Sequence, residues 1–262
     1  MAVSLEQILD STRSGLPSLR ARRDALEREA GARPAPPALS RALQRDRVAV
    51  VAELKRRSPS AGVLRADLDS RDRAALYARS GASAISVLTD PTHFGGSVED
   101  LRVAADRVKI PLLRKDFILD ELQVIEARAA GASAILLIVR ALSEDRLSAL
   151  LACARSVGLE ALVEVHSAPE LERALAADAR ILGVNSRDLD TFRIDVAGAW
   201  ELLAGIPADR IAVAESGMRE ADDVERAAGA GADAVLVGTA LSAAADPAAL
   251  LRRLSEVPRR GR

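Results

Sequence analysis

Two of the three lysines in this chain stand where a mostly apolar run ends, and both are candidate catalytic groups. Lys55 follows the run at 48–54, and Lys115 follows the run at 110–114. Arginine stays charged at any working pH, whereas a buried lysine can release its proton and act as an acid or a base. Because the chain takes most of its positive charge from arginine, a lysine at such a position is expected to do chemistry that arginine cannot. Lys109 is expected to be an ordinary surface charge.

Carboxylates accompany these lysines at strand-like spacing. Glu53 precedes Lys55 by two residues, and Glu164 precedes His166 by the same distance. Side chains two residues apart on a β-strand point to the same face, so Glu53 and Lys55 are expected to face one site together. His166 is expected to lie behind the reacting groups. Other apolar runs also end in polar or glycine-rich clusters, at 88–90, 115–117, 185–188, 215–217 and 238–239.

The elements that must position these groups are suggested by a recurring segment, at 81–88, 131–138 and 231–238. Each copy is typical of a helix end, a glycine cap, a short turn and a buried parallel strand. The copies lie 50 and 100 residues apart, both multiples of about 25, the length of one strand–helix unit. The chain from 48 to about 247 has room for eight units, which predicts an α/β fold, a (β/α)8 TIM barrel. An open doubly wound sheet is the alternative, but no Gly-x-Gly-x-x-Gly follows the first strand.

Hydrophobic periodicity locates further elements of this barrel. Additional strands are predicted at 48–54, 110–114, 160–165, 181–184 and 211–214. Amphipathic helices are predicted at 120–130, 143–157 and 219–228. In a barrel of this kind the catalytic groups gather at the carboxyl ends of the strands, where the polar clusters stand.

Residues 1–47 stand outside the repeat. Ser4 and Gln7 predict a capping box that begins a first helix. A second helix is predicted at 17–30, closed by Gly31, and the proline-rich segment 33–37 is predicted to be a linker. We expect a helical extension at 1–47 packed on the barrel at 48–262, within one domain. The alternative is that residues 1–47 form a flexible, unstructured tail.

Composition narrows the function classes. A formal net charge of -1 and an aromatic content of 2% give no basic field and no stacking platform for nucleic acid. No apolar run approaches the roughly 18 residues that a membrane span needs, and the N-terminus does not resemble a signal peptide. The single cysteine, Cys153, favours a reducing compartment, and with two histidines it disfavours a metal site. A cytoplasmic location, no membrane partner and no metal are therefore expected.

Small residues after the seventh and eighth strands predict a phosphate site. Ser216-Gly217 and Gly238-Thr239 are expected to lie at helix starts, where backbone N–H groups stabilise an anion. Many phosphate-binding barrels share such a pairing, so it indicates a class of ligand and not a reaction.

The segment 53–62, Glu-Leu-Lys-x-x-Ser-Pro-Ser-x-Gly, resembles the signature of the indole-3-glycerol-phosphate synthase family of tryptophan biosynthesis. The resemblance continues at 88–97, 113–128, 162–166, 183–189 and 214–217. That family also carries an N-terminal helical extension. The chain departs from its pattern at His93, where an aromatic residue is frequent, at Leu122, where Tyr is frequent, and at Thr239, where Ser is also seen. His93 is expected to loosen the wall around the substrate's ring, and no departure removes a charged group.

The resemblance implies the conversion of 1-(2-carboxyphenylamino)-1-deoxyribulose 5-phosphate to indole-3-glycerol phosphate, by ring closure, decarboxylation and dehydration. The implied catalytic residues are Glu53, Lys55, Lys115, Glu164 and Asn185. The implied substrate-binding residues are Ser58, Pro59, Phe94, Phe117, Arg187 and Leu189. The implied phosphate-binding residues are Lys55, Ser216, Gly217, Gly238 and Thr239. The division of acid and base roles among Lys55, Lys115 and Glu164 stays open.

Two other functions remain as alternatives. One is another phosphate-binding barrel, such as a phosphoribosylanthranilate isomerase, which would not need the Lys and Glu constellation. The other is a barrel without catalytic activity, kept for binding. The favoured interpretation implies no cofactor and a small phosphorylated substrate as the partner, with the chain a monomer or a weak homodimer.

Overall fold

The computed structural model describes residues 4–58, 62–188, 191 and 193–261. Within these ranges, eight parallel strands form a closed barrel in which each strand pairs with the next along the chain and the eighth pairs with the first. The prediction of a (β/α)8 barrel is confirmed, and the open sheet is excluded. The barrel strands are β1 Ala49–Leu54, β2 Ala84–Leu88, β3 Leu112–Lys115, β4 Ala134–Ile138, β5 Glu160–Val165, β6 Ile181–Asn185, β7 Ile211–Glu215 and β8 Ala234–Val237.

Helices precede the barrel and follow its strands. They are α1 Leu5–Arg20, α2 Arg23–Ala32, α3 Leu39–Leu43, α4 Ser70–Arg79, α5 Val98–Ala105, α6 Glu121–Ala129, α7 Glu144–Ser156, α8 Ala168–Ala176, α9 Val196–Ala204, α10 Ala221–Gly229, α11 Thr239–Ala243 and α12 Pro247–Leu254. A 3₁₀ turn, Val139–Ala141, follows β4, and a small antiparallel pair, Arg57–Ser58 with Gly62–Val63, follows β1. None of the helices in the described ranges has the length and apolar character of a membrane span.

The N-terminal helix boundaries differ from the sequence prediction. The capping box at Ser4 and Gln7 is present, but α1 continues through Pro17 to Arg20. Proline is common at a helix start, which made 17 a plausible beginning. Here Pro17 lies near the helix end, and its carbonyl still accepts the N–H of Ala21. The second helix begins at Arg23 and runs through Gly31.

The segment after the proline-rich linker forms α3, a helix that the sequence analysis did not predict. The backbone N–H of Ser40 donates to Oε2 of Glu160 at 2.8 Å, and its hydroxyl donates to Oε1 at 2.5 Å. Because Glu160 begins β5, α3 lies at the N-terminal end of the barrel. On the side of the barrel, Leu26 of α2 packs in one cluster with Leu122 of α6.

Side chains alternate along each strand between the inside and the outside of the barrel, and this alternation points the functional groups inward. Val51 of β1, Leu162 of β5 and Val213 of β7 belong to the inner of the two main apolar clusters, which fills the barrel lumen. The residue two positions later in each strand is a glutamate, so Glu53, Glu164 and Glu215 continue these inward rows at the carboxyl end. Lys115 continues the row of Leu113 in the same way. β3 begins at Leu112 and not at 110, because Pro111 has no N–H to give to the ladder.

Candidate active site

The inward rows open into a cavity of about 470 Å³ at the carboxyl end of the strands, within the range of small-molecule sites. Every site residue implied by the sequence that lies in the described ranges lines this cavity. They are Glu53, Lys55, Ser58, Phe94, Lys115, Phe117, Glu164, Asn185, Arg187, Ser216, Gly217, Gly238 and Thr239. Pro59 and Leu189 lie outside the described residues.

Lys115 stands between two buried carboxylates. Its Nζ atom lies 3.2 Å from Oε2 of Glu164 and 3.0 Å from Oε2 of Glu215. These two glutamates are 1% and 2% exposed. Burial opposes the charge on Lys115, but the neighbouring carboxylates outweigh it and raise the lysine's pKa above its ordinary value. Lys115 is therefore a cation at neutral pH.

The two carboxylates that share Lys115 have pKa values shifted in opposite directions. Burial raises the pKa of Glu215 to about 7, because the single nearby ammonium does not offset the lost hydration and the repulsion from Glu164. Burial acts in the same direction on Glu164, but the charges of Lys115 and His166 outweigh it and hold the pKa of Glu164 below its ordinary value. The site thus pairs an ionised carboxylate with one that titrates near neutral pH.

Glu53 and Lys55 form a second ion pair at the end of β1. Nζ of Lys55 lies 2.8 Å from Oε1 of Glu53. Gly238 makes room for this pair, because a β-carbon at 238 would collide with Oε1 of Glu53 and come within 2.9 Å of Nζ of Lys55. Gly183 plays the same part for Glu215, whose Oε1 occupies the space that a β-carbon at 183 would need. Glycine at these two positions lets the carboxylates lie flat against the barrel wall.

Asn185 is oriented by its neighbours at the end of β6. Its Oδ1 atom accepts the backbone N–H of Arg187 at 3.0 Å and the hydroxyl of Ser216 at 2.8 Å. With the carbonyl oxygen occupied on both sides, the amide nitrogen is the group left to donate into the cavity. The Asn185 side chain also helps to lower the pKa of Glu164.

The turn after β7 departs from the prediction of a helix start. Ser216 and Gly217 have φ angles of +66° and +79°, and α10 begins only at Ala221. The left-handed conformation is unusual for serine, and its hydrogen bond to Asn185 helps to hold it. At the end of β8, by contrast, α11 does begin at Thr239, with Gly238 as its N-cap.

Apolar side chains form one wall of the cavity. The ring centroids of Phe94 and Phe117 are 6.3 Å apart, with the rings tilted by 36°. The loop that carries Phe94 is held by Asp90, whose Oδ1 accepts the backbone N–H of Phe94 at 3.1 Å. Leu136 and Ile138 of β4 add aliphatic surface. This wall suits a flat aromatic ring.

Sequence reasoning missed several lining residues. The sequence puts Glu215 at a predicted strand end and assigns it no role, although it extends the inward row of β7. Its pairing with Lys115 joins residues 100 positions apart and leaves no local signal. Leu136 and Ile138 also line the cavity, and their inward parity was the signal that could have found them.

A family model described as indole-3-glycerol phosphate synthase matches residues 5–254. The chain belongs to the indole-3-glycerol phosphate synthase family. An indole-3-glycerol phosphate synthase of Dehalococcoides mccartyi is 51% identical over 210 residues, 79% of this chain and 81% of that protein. The protein of the same name from Opitutus terrae is 49% identical over 226 residues, 84% and 85% of the two chains. That of Rhodococcus jostii is 46% identical over 245 residues, 93% and 91% of the two chains.

Solved structures of lower identity share the fold. A 3-hexulose-6-phosphate synthase from Salmonella typhimurium superposes with a TM-score of 0.64 at 17% identity, over 80% of this chain and 97% of that one. A thiamine phosphate pyrophosphorylase from Pyrococcus furiosus gives a TM-score of 0.59 at 17% identity, over 80% and 94%. At this identity the likeness concerns the barrel alone.

Proposed function

We propose that this protein is the indole-3-glycerol-phosphate synthase of tryptophan biosynthesis, a carboxy-lyase. It converts 1-(2-carboxyphenylamino)-1-deoxyribulose 5-phosphate to indole-3-glycerol phosphate, carbon dioxide and water. The observation that carries this proposal is the position of Lys115, in contact with Glu164 and Glu215 inside the cavity that also holds the Glu53–Lys55 pair. Two lysines and three glutamates provide the several proton transfers that ring closure and dehydration require.

Ring closure is assigned to Lys115. The ring carbon attacks the ketone carbon, a carbon–carbon bond forms, and the ketone oxygen must gain a proton. A cationic lysine supplies that proton, and general acid catalysis of this kind contributes roughly 10²- to 10⁴-fold. The raised pKa of Lys115 ensures that the proton is present when the substrate arrives. Loss of carbon dioxide then restores the aromatic ring.

Dehydration is assigned to the groups around the cavity. Departure of the hydroxyl needs an acid, and a base must take a proton from the neighbouring carbon. Glu164 and Lys55 are assigned to these two steps, with Glu53 holding Lys55 at 2.8 Å and Asn185 orienting the substrate hydroxyls. Whichever of Glu164 and Lys55 faces the departing oxygen acts as the acid, and the other acts as the base.

Binding is assigned to the rim of the same cavity. Arg187 holds the ring carboxylate, because its planar fork matches a carboxylate with two hydrogen bonds. Phe94 and Phe117 receive the aromatic ring, and Ser58 positions it. The roles of Pro59 and Leu189 in substrate binding are proposed from the sequence resemblance alone, since both lie outside the described residues. The phosphate is assigned to Lys55, Ser216, Gly217, Gly238 and Thr239.

The proposal extends to partners and location. The only partner required is the small phosphorylated substrate, whose own enamine and imine forms carry the electrons, so no metal or organic cofactor is proposed. Neither nucleic acid nor a membrane is a partner. The proposed location is the cytoplasm, and the proposed assembly is a monomer or a weak homodimer.

Activity is tested by mixing the purified protein with the carboxyphenylamino substrate, without added metal, and following indole fluorescence. We expect emission from the wild-type protein and a loss of at least about 10²-fold in Lys115→Ala and in Glu164→Gln. Lys109→Ala is the matched control, since it removes an exposed lysine outside the cavity and should keep full activity. A folded wild-type protein that forms no indole product would contradict the proposal.

A further inference from the structure

A line of alternating charges runs from Lys115 out of the catalytic cavity. Lys115 contacts Glu164, and Oε1 of Glu164 lies 3.4 Å from Nε2 of His166. Nδ1 of His166 lies 3.4 Å from Oε2 of Glu170, and Oε1 of Glu170 accepts from Nε of Arg140 at 3.2 Å. With His166 protonated, cations and anions alternate at each step, from the barrel lumen to a second cavity outside the ends of β5 and β6.

The imidazole of His166 is held in place by Glu170. His166 is the first residue after β5, and Glu170 lies four residues later in the first turn of α8. The Oε2 atom of Glu170 accepts the backbone N–H of His166 at 2.8 Å in addition to facing its ring. Arg140, from the 3₁₀ turn after β4, contacts both Glu170 and Asp188. The end of β5, the first turn of α8 and the 3₁₀ turn therefore hold the imidazole in place together. The His166 side chain is 4% exposed.

His166 lies beside one of the two carboxylates that contact Lys115. Lys115 contacts Glu164 and Glu215 at nearly equal distances, 3.2 and 3.0 Å, so by itself it would favour neither. Of these two carboxylates, Glu164 alone has an imidazole nitrogen of the described residues within 3.4 Å, and that imidazole becomes a second cation when protonated. Two buried like charges at one site cannot both ionise easily, and the carboxylate with more positive neighbours keeps its charge.

We propose that His166 is a positioning residue, which keeps Glu164 ionised and leaves the proton on Glu215, while Glu170, itself held by Arg140, keeps the imidazole in its cationic form. The role in turnover rests on the proposed function, since it supplies the ionised Glu164 and the proton on Glu215 that the acid–base steps draw upon. The charge state of His166 can be measured without any activity.

The groups around His166 favour its cation. Glu164 on its own strand and Glu170 on α8 attract the imidazolium, whereas Arg140 opposes it. Asp188, from the segment after β6, is paired with Arg140. Burial lowers the pKa of His166, but the two glutamates outweigh burial and Arg140 and raise it above the ordinary value. The remaining charged side chains of the second cavity are Arg193, Asp195 and Glu201.

The first test is an NMR titration of the imidazole rings of the substrate-free protein. The sequence has two histidines, His93 and His166, so a His93→Gln variant assigns both signals. We expect His166 to titrate above the ordinary value of about 6.5, and Glu170→Gln to move its midpoint down by about one unit. A His166 ring that titrates at or below about 6.5 in the folded protein would overturn the proposal.

The second test is the pH profile of kcat/KM for indole formation in His166→Gln. Without the imidazolium, Glu164 takes up a proton at higher pH, so the midpoint of the acid limb should move up by about one pH unit. The lower kcat/KM should come from a lower kcat, with KM little changed. Glu201→Gln is the matched control, because it removes an exposed carboxylate from the second cavity without touching the charged line. A purely structural role would lower activity at all pH values and leave the limb in place.

The outcomes separate the two proposals. If wild-type protein makes no indole product, the proposed function fails and the NMR titration still decides the state of His166. If wild-type protein is active and His166→Gln has the same acid limb, the positioning role is wrong. If His166→Gln does not fold, Glu170→Gln takes its place, and an acid limb that moves up in the same direction is required.

Discussion

Gly238 at the end of β8 faces Glu53 at the end of β1 so closely that a β-carbon on Gly238 would overlap the glutamate's Oε1 atom. The two strands meet where the barrel closes, with Val237 next to Ala52 in the register of the pair. A missing side chain on one strand thus creates the space for a carboxylate on its neighbour.

Replacing Gly238 by alanine should displace Glu53 and break its 2.8 Å contact with Lys55. We expect a loss of at least about tenfold in kcat/KM while the barrel stays folded, since only the strand end must shift. Indole fluorescence kinetics and circular dichroism measure the two effects. Gly31→Ala is the control, because a β-carbon there meets nothing within 4 Å and should leave activity unchanged. Full activity in Gly238→Ala would show that the Glu53–Lys55 geometry is not required.

Replacing Lys115 by methionine should lower the free energy of unfolding, because it leaves Glu164 and Glu215 buried without their shared cation. Removal of one partner from a buried pair costs about 3–5 kcal/mol. The loss should be larger at pH 8 than at pH 5, since the carboxylates can protonate at the lower pH. Urea unfolding at both pH values measures it. Lys109→Met changes an exposed lysine and should have a small effect at either pH. Equal losses at pH 5 and pH 8 would contradict this account.

Glu215 should make stability depend on pH between about 4.5 and about 7. Its folded-state pKa lies above the ordinary value, so the folded state holds the proton more tightly than the unfolded state. The corresponding stability is present below pH 4.5 and is lost as the pH rises through 7, at up to about 1.4 kcal/mol per pH unit. Urea unfolding between pH 4 and pH 8 should show a shallower slope for Glu215→Gln than for wild type. Identical slopes would place the neutral-pH titration on another group.

Replacing Arg187 by lysine should weaken substrate binding, because an ammonium group cannot make the paired hydrogen bonds of a guanidinium to a carboxylate. We expect KM to rise by about tenfold or more with a smaller change in kcat. Affinity for indole-3-glycerol phosphate, which lacks the ring carboxylate, should change little. Steady-state kinetics and product titration distinguish the two. An equal loss of affinity for substrate and product would assign Arg187 to another part of the ligand.

Much of the barrel could be predicted because its signals are local. The recurring segments at 81–88, 131–138 and 231–238 each contain a helix cap and a strand, and the structure has β2, β4 and β8 within them. The inward direction of Glu53 and of Glu164 follows from strand alternation alone. The N-terminal boundaries were harder, because Pro17 is acceptable both at a helix start and in the last turn that it occupies here.

The sequence by itself determined which residues reach the carboxyl ends of the strands, since strand period and chain order decide that. Only the tertiary structure decided which of them meet. Lys115 reaches Glu215 across 100 residues, and Gly238 faces Glu53 because the eighth strand closes on the first. The difference in protonation between Glu164 and Glu215 depends on distances of about 3 Å to Lys115 and His166. Electrostatic energies depend on separation and burial in space, and neither is written in the order of the residues.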